Sequence, residues 1–185
     1  MGYTHPSYRA YKIMRSKDPS SLRMISLWKF KSTKSNKWYI VEVEEFPHDF
    51  YGLKFYYKGV ANSKRRYSLL TYDFEPRTIV MSCINIMRNY YDENPCASFG
   101  FVAADDIDTF ETKNVHTPNK RFRFYRRMML TLFSPVNFEQ YTDTANSIYL
   151  LINKKTLKRG EISLSTIERE LTDLYIGDYN LNIAH

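Results

Sequence analysis

The sequence predicts an α+β domain on a twisted, mostly antiparallel sheet, and three observations carry that expectation. Between residues 27 and 58, apolar and polar side chains alternate with period two in runs separated by polar turns, the pattern of strands with one covered face. Residues 77–91 and 117–133 instead repeat apolar side chains at spacings of three and four, the pattern of helices with one buried stripe. After each of these comes a short apolar run, 97–104 and 147–152, which reads as an inner strand.

Residues 1–23 form a basic, tyrosine-rich arm ahead of a single domain over residues 24–185. Ser7 caps a short helix running to about Arg15, with Tyr8, Tyr11 and Met14 on one side, and Asp18-Pro19-Ser20-Ser21 breaks it. The arm has two readings. Arg9, Lys12 and Arg15 contact phosphates while tyrosines stack on bases, or an amphipathic helix packs its tyrosines on the domain and leaves its charges in water. The sequence favours the second.

The meander follows. Trp28 and Phe30 oppose Lys29 and Lys31 in its first strand, residues 32–36 make a polar turn, and residues 37–44 alternate again. Tyr39, Val41 and Val43 share one face there, and Trp38, Ile40 and Glu42 the other. After Pro47, residues 53–58 give a third strand, and residues 66–71 a fourth beyond a loop at 59–64.

Pro76 suits the first turn of the first strong helix, with Asp73 or Glu75 as cap. Its stripe is Ile79, Val80, Cys83, Ile84, Ile86, Met87 and Tyr90, and Asn94-Pro95 ends it. The run 97–104 is then a central strand reached by a helical crossover. Asp105, Asp106, Asp108 and Glu111 crowd the next loop at no known metal spacing, so solubility explains them better than a metal does. Thr117 and Pro118 open the second helix, with Phe122, Tyr125, Met129, Leu132 and Phe133 facing the sheet. Residues 138–146 read as a polar loop, 147–152 as the last strand, and Lys154, Lys155, Lys158 and Arg159 as a basic loop. Ser165 and Glu168 form a capping box for a C-terminal helix, and Leu181 and Ile183 alternate in a tail that suits a short edge strand.

Composition narrows the function classes. Aromatic residues make up 16% of 185 residues, which gives a core and excludes a disordered chain. No run of about 18 apolar residues occurs, so no membrane span is expected. The two cysteines, Cys83 and Cys96, fit buried free thiols in a reducing, cytoplasmic compartment. The formal charge of +7 is uneven: residues 1–31 hold seven cations against Asp18 alone, and the rest is nearly balanced. Basicity therefore belongs to the arm. His5, His48, His116 and His185 have no metal-ligand spacing, and no hydrolase, zincin, phosphate-loop or dinucleotide motif is present.

The order of a meander, then helix, strand, helix, strand resembles the GNAT superfamily of N-acetyltransferases over about residues 25–152. The resemblance implies a coenzyme A pyrophosphate held on backbone amides after the fourth strand, at a turn of Gln or Arg followed by glycines. Here that turn is Tyr72-Asp73-Phe74-Glu75-Pro76-Arg77: it lacks glycine, is acidic, and Pro76 removes an amide donor. Asn119 and Tyr125 echo the family's later asparagine and tyrosine, one residue closer together than usual. More locally, the helix start at Thr78-Ile79, the run 97–104, the arginine-rich helix and residues 149–153 are similar to a family of small, uncharacterised bacterial domains, which implies no activity.

The expectation is a non-enzymatic binding module of α+β class, with no catalytic residue, cofactor or metal. Its partner, a protein or a nucleic acid, meets the arm through Tyr8, Arg9, Tyr11, Lys12 and Arg15, and the second helix through Lys120, Arg121, Arg123, Arg126 and Arg127. Those arginines have a plainer reading as a solvated face paired with the acidic loop before it, and the two stand level. A divergent acyl-coenzyme A-dependent N-acyltransferase using Asp73 or Glu75, and a structural component of a larger assembly, including a homo-oligomer, are the alternatives.

Overall fold

A computed structural model describes residues 6–19, 23–64, 66–67, 73–102, 120–144, 148–160, 163 and 165–167. In chain order these form β1 (Tyr11–Lys17), β2 (Met24–Lys31), β3 (Trp38–Phe46), β4 (Phe50–Tyr57), a 3-10 turn (Lys58–Val60), α1 (Pro76–Glu93), β5 (Ser98–Val102), α2 (Lys120–Leu132), β6 (Phe138–Asp143), β7 (Ile148–Asn153) and α3 (Lys154–Lys158). The strands make one mixed seven-stranded sheet in the order β1-β2-β3-β4-β5-β7-β6. An α+β fold is therefore present. β4 and β5 run parallel and the other neighbouring pairs antiparallel.

Local chemistry explains the hairpins. Between β2 and β3 the Ser32 hydroxyl accepts from the backbone N–H groups of Lys34 and Ser35, and Asn36 takes a left-handed conformation at φ 60°. Between β3 and β4 the tight turn places His48 and Asp49 at φ 60° and 58°, a region His and Asp enter more readily than branched residues do. β2 and β3 then pair Trp28 with Val41 and Phe30 with Tyr39, which puts the large apolar side chains of both strands on one face.

That face carries both long helices. Phe30, Val41, Phe99 and Leu151 on the strands meet Ile84 and Ile86 of α1 and Phe122 of α2, each essentially inaccessible. Burying each such side chain contributes about 1.5–3 kcal/mol, which outweighs the helix preferences of either segment alone. A smaller cluster of Phe46, Phe50, Ile148, Leu150, Ile152 and Ile167 covers the other face around β5 and β7. Asn153 ties the end of β7 to β5: its side-chain amide donates to Pro95 O at 2.8 Å, and its Oδ1 accepts from Lys155 N at 2.9 Å to cap α3.

Several expectations are corrected. The arm is not a helix over residues 7–15. Tyr11–Lys17 is an edge strand paired with β2, with a register shift between Lys12 and Met14, because the edge of β2 pairs the backbone groups on its inner side on either side of that shift. The four-stranded meander is thus β1 to β4. Arg66 and Tyr67, expected to begin its last strand, lie in a turn, and residues 68–71 are outside the described residues. Residues 138–143, read as a polar loop, form β6, an outer strand on which Glu139 is exposed, Gln140 and Thr142 are half-buried and Asp143 is buried. Lys154–Lys158, read as a loop, is a short helix. The acidic loop, the Thr117-Pro118 cap and most of the C-terminal helix fall outside the described residues, although residues 165–167 are helical.

Gly100 sits where β5 crosses the ring of Phe50. A Cβ there would meet Phe50 Cζ at 2.6 Å and Leu150 Cδ2 at 3.1 Å, both on buried side chains. Gly100→Ala is expected to lower stability by about 1–3 kcal/mol through overpacking, read as an earlier urea midpoint at unchanged slope.

Candidate functional site

β4 and β5 pair over three residues only, Phe50 to Gly52 with Ser98 to Gly100. Beyond them the two strands part, and α1 and α2 roof the opening. Tyr125 of α2 spans it, its ring 5.9 Å from Phe55 of β4 and 5.2 Å from Phe101 of β5. Beneath lies an inner chamber of about 120 Å³ lined by Leu53, Cys83, Ile84, Met87, Phe101 and Met129. An outer cleft of about 460 Å³ opens from it toward the starts of α1 and α2, and Phe55, Tyr67, Val80, Arg121 and Tyr125 line both.

The inner chamber is mostly apolar, with Lys54, Tyr67 and Arg121 as its polar lining. Burial pushes the Cys83 thiol far above its ordinary value, so it lines the wall as a neutral side chain and not as a nucleophile.

The outer cleft is aromatic with a cationic rim of Arg66, Lys120 and Arg121. Arg121 donates to Tyr67 O at 2.7 Å. Arg66 lies 5.0 Å over the Tyr56 ring and 4.8 Å over Tyr67, and reaches Glu42 at 3.5 Å. Its Nε is buried and finds no hydrogen-bond partner among the described residues. Burial first, and then the hydrogen bond given to Glu42 at 2.5 Å, push the Tyr67 hydroxyl well above its usual range, so it stays a neutral donor.

Two carboxylates at the start of α1 complete the wall, and both are engaged. Asp73 takes Lys37 Nζ on Oδ1 at 2.5 Å and the Tyr39 hydroxyl on Oδ2 at 2.6 Å. Glu75 accepts from Tyr8 on Oε2 at 2.5 Å, and on Oε1 from Ser32 at 2.5 Å and Ser35 at 3.1 Å. Between them Phe74 adopts φ 51° and is 85% exposed, an unusual conformation for a bulky residue. Pro76 stands at the first helical turn, as read from the sequence.

The binding residues expected from sequence do not form one patch. Tyr8 is an anchor: its backbone N–H donates to Ser82 Oγ at 2.8 Å and its ring stacks on Phe30. Arg15 pairs through two hydrogen bonds with Glu45. The Lys12 ammonium lies 5.7 Å from the rings of both Trp28 and Tyr90. Arg9 and Tyr11 remain exposed. The arm contacts α1 along Thr78, Ser82 and Asn85, whereas α2 meets it along Arg77, Val80 and Ile84. Arm and α2 therefore flank α1 on different sides, a helix width of about 10 Å apart. On α2, Arg121 turns into the cleft, while Lys120, Arg123, Arg126 and Arg127 are exposed.

Among the described residues no group of His, Cys, Asp and Glu is placed to hold a metal, and no helix is long and apolar enough to cross a membrane. Arg66 and Tyr67 escaped the sequence reading. Nothing local marks them, since their roles come from contacts to residues 42 and 121. No protein-family model, curated protein or solved structure matches the chain.

Cys83 and Cys96 are both buried and unpaired. Neither is expected to react with a thiol reagent in the native state at pH 8, and both should react on unfolding in urea; rapid native labelling of Cys83 would show an open inner chamber.

Proposed function

We propose that this chain is a ligand-binding domain of GNAT-like topology whose cleft takes an acyl-coenzyme A or a closely similar phosphate-bearing acyl carrier. The observation that carries the reading is the parting of the parallel strands β4 and β5 over an apolar chamber that opens onto a cationic rim. The strand order, with its single helical crossover from β4 to β5, supports the topology, and the helical residues 165–167 support a C-terminal helix packed by Ile167.

The residues present fit such a group in a particular way. Pro76 has no N–H to give and two carboxylates, Asp73 and Glu75, precede it, so the start of α1 offers phosphates little. Arg66, Lys120 and Arg121, the cations lining the cleft, take that role instead. The inner chamber holds the apolar end of the molecule against Met87, Met129 and Phe101. A bound thioester would supply an activated acyl group. Asp73 and Glu75 are each held by two or more partners, so their part in this reading is to fix the cleft's wall and not to carry protons. Binding without efficient transfer is the consequence. Two buried thiols suit a reducing, cytoplasmic setting for it.

A second reading, a module that docks a protein or nucleic-acid partner on α2, is favoured by the exposure of Arg123, Arg126 and Arg127 on one helix.

Thermal unfolding with acetyl-coenzyme A separates the two. Ligand at about 100 times its dissociation constant adds about 2.7 kcal/mol, a rise of roughly 5–10 °C for a chain of this size. The rise should shrink by half or more in an Arg121→Ala, Lys120→Ala variant and persist in Arg123→Ser, Arg127→Ser. No rise at millimolar ligand removes the reading.

A further inference from the structure

The sheet face turned away from α1 and α2 repeats, beside the arm, one arrangement, an aromatic ring next to a cation, across three strands. Tyr11 of β1 stands directly opposite Lys29 of β2, and Lys31 of β2 directly opposite Trp38 of β3. Lys29 and Lys31 are two residues apart on one strand, so all four side chains project from the same face. Their contacts confirm it: the ammonium groups of Lys29 and Lys31 lie 5.2 and 5.9 Å from the Trp38 ring centre, and the Arg9 guanidinium 5.3 Å from that of Tyr11.

The rings are open to solvent, Tyr11 being 48% and Trp38 37% exposed. A groove of about 690 Å³ runs past Arg9, Tyr11, Lys31 and Trp38, and among the described residues no carboxylate lines it. Of the acidic residues further along this face, Glu42 meets Arg66 and Tyr67, and Glu44 meets Lys54 through one carboxylate oxygen. Among the described residues the groove's cations thus meet no carboxylate along its lining. The patch is separate from the cleft, from which the buried Glu75 cluster divides it.

We propose that this face binds single-stranded nucleic acid, with Trp38 and Tyr11 as stacking platforms for two bases and Arg9, Lys29 and Lys31 as partners for the intervening phosphates. Flat aromatic rings set on a sheet accept unstacked bases of any sequence, and cations between them follow the backbone. A duplex keeps its bases stacked inside and offers the rings nothing. The proposal is independent of what occupies the cleft.

The test is fluorescence anisotropy with a labelled oligouridine of about 12 nucleotides, beside an RNA duplex of equal length, at low and moderate salt. The single strand should bind at low salt and quench tryptophan emission, and this quenching should vanish in Trp38→Phe while most of the affinity remains. Trp38→Ala should weaken binding by about tenfold or more. Lys29→Ser with Lys31→Ser should lower the slope of log affinity against log salt by about 1.4. Far-UV circular dichroism and the melting midpoint of each variant establish that the sheet is intact. No binding at low salt, equal affinity for the duplex, or binding lost in Arg123→Ser, Arg126→Ser, Arg127→Ser but kept in Trp38→Ala would overturn the proposal.

Discussion

The whole architecture hangs on three residue pairs. Phe50, Tyr51 and Gly52 hydrogen-bond in parallel with Ser98, Phe99 and Gly100, and this short seam joins the N-terminal meander to the C-terminal hairpin. Parallel pairing requires a long crossover, which α1 supplies, and so the seam also sets α1 against the sheet. It is packed on both faces. Phe99 and Tyr51 meet on the helical face with ring centres 5.9 Å apart, and on the other Phe50 lies so close to Gly100 that no side chain fits between. Where the seam ends, the strands part, and the cleft is the space that opens.

The same economy governs the polar residues. Glu75 is buried, yet it gathers hydrogen bonds from the arm through Tyr8 and from the β2–β3 turn through Ser32 and Ser35, so three distant segments meet at the start of α1. Buried polar groups are tolerable only when matched, and a matched cluster fixes the geometry of whatever it joins. That is why the arm is an ordered edge strand and why its basic residues are largely spent inside the chain. Arg15 and Lys12 serve the sheet. Arg9, Lys29 and Lys31 lie over aromatic rings on one face, and Lys120, Arg123, Arg126 and Arg127 of α2 are exposed on another.

Reading the chain residue by residue recovered the elements whose burial is one-sided. α1 was plain because Ile79, Cys83, Ile86, Met87 and Tyr90 fall on one stripe, and β3 because Tyr39, Val41 and Val43 share a face under the helices. β1 was missed because an edge strand with mostly exposed side chains carries no alternation of burial, and its tyrosines and cations fit a helix equally well. β6 was missed for a like reason, lying at the opposite edge with Glu139, Gln140 and Thr142 facing water or half-buried. Arg121 was named as a partner-binding residue, but only its bond to Tyr67 shows that it faces inward.

By itself the sequence determined the fold class, the two helices, the inner strands and the concentration of charge near the N-terminus, because each is written in local periodicity or composition. Only the tertiary structure decided that β4 meets β5 in parallel, that the arm joins the sheet, and that Phe55, Tyr67, Phe101, Arg121 and Tyr125 surround one cleft. Those residues are brought together by the crossover and by the early end of the seam. Strand pairing is non-local, and hydrogen bonds between backbones are the same for every residue type, so no stretch of the chain announces its neighbour.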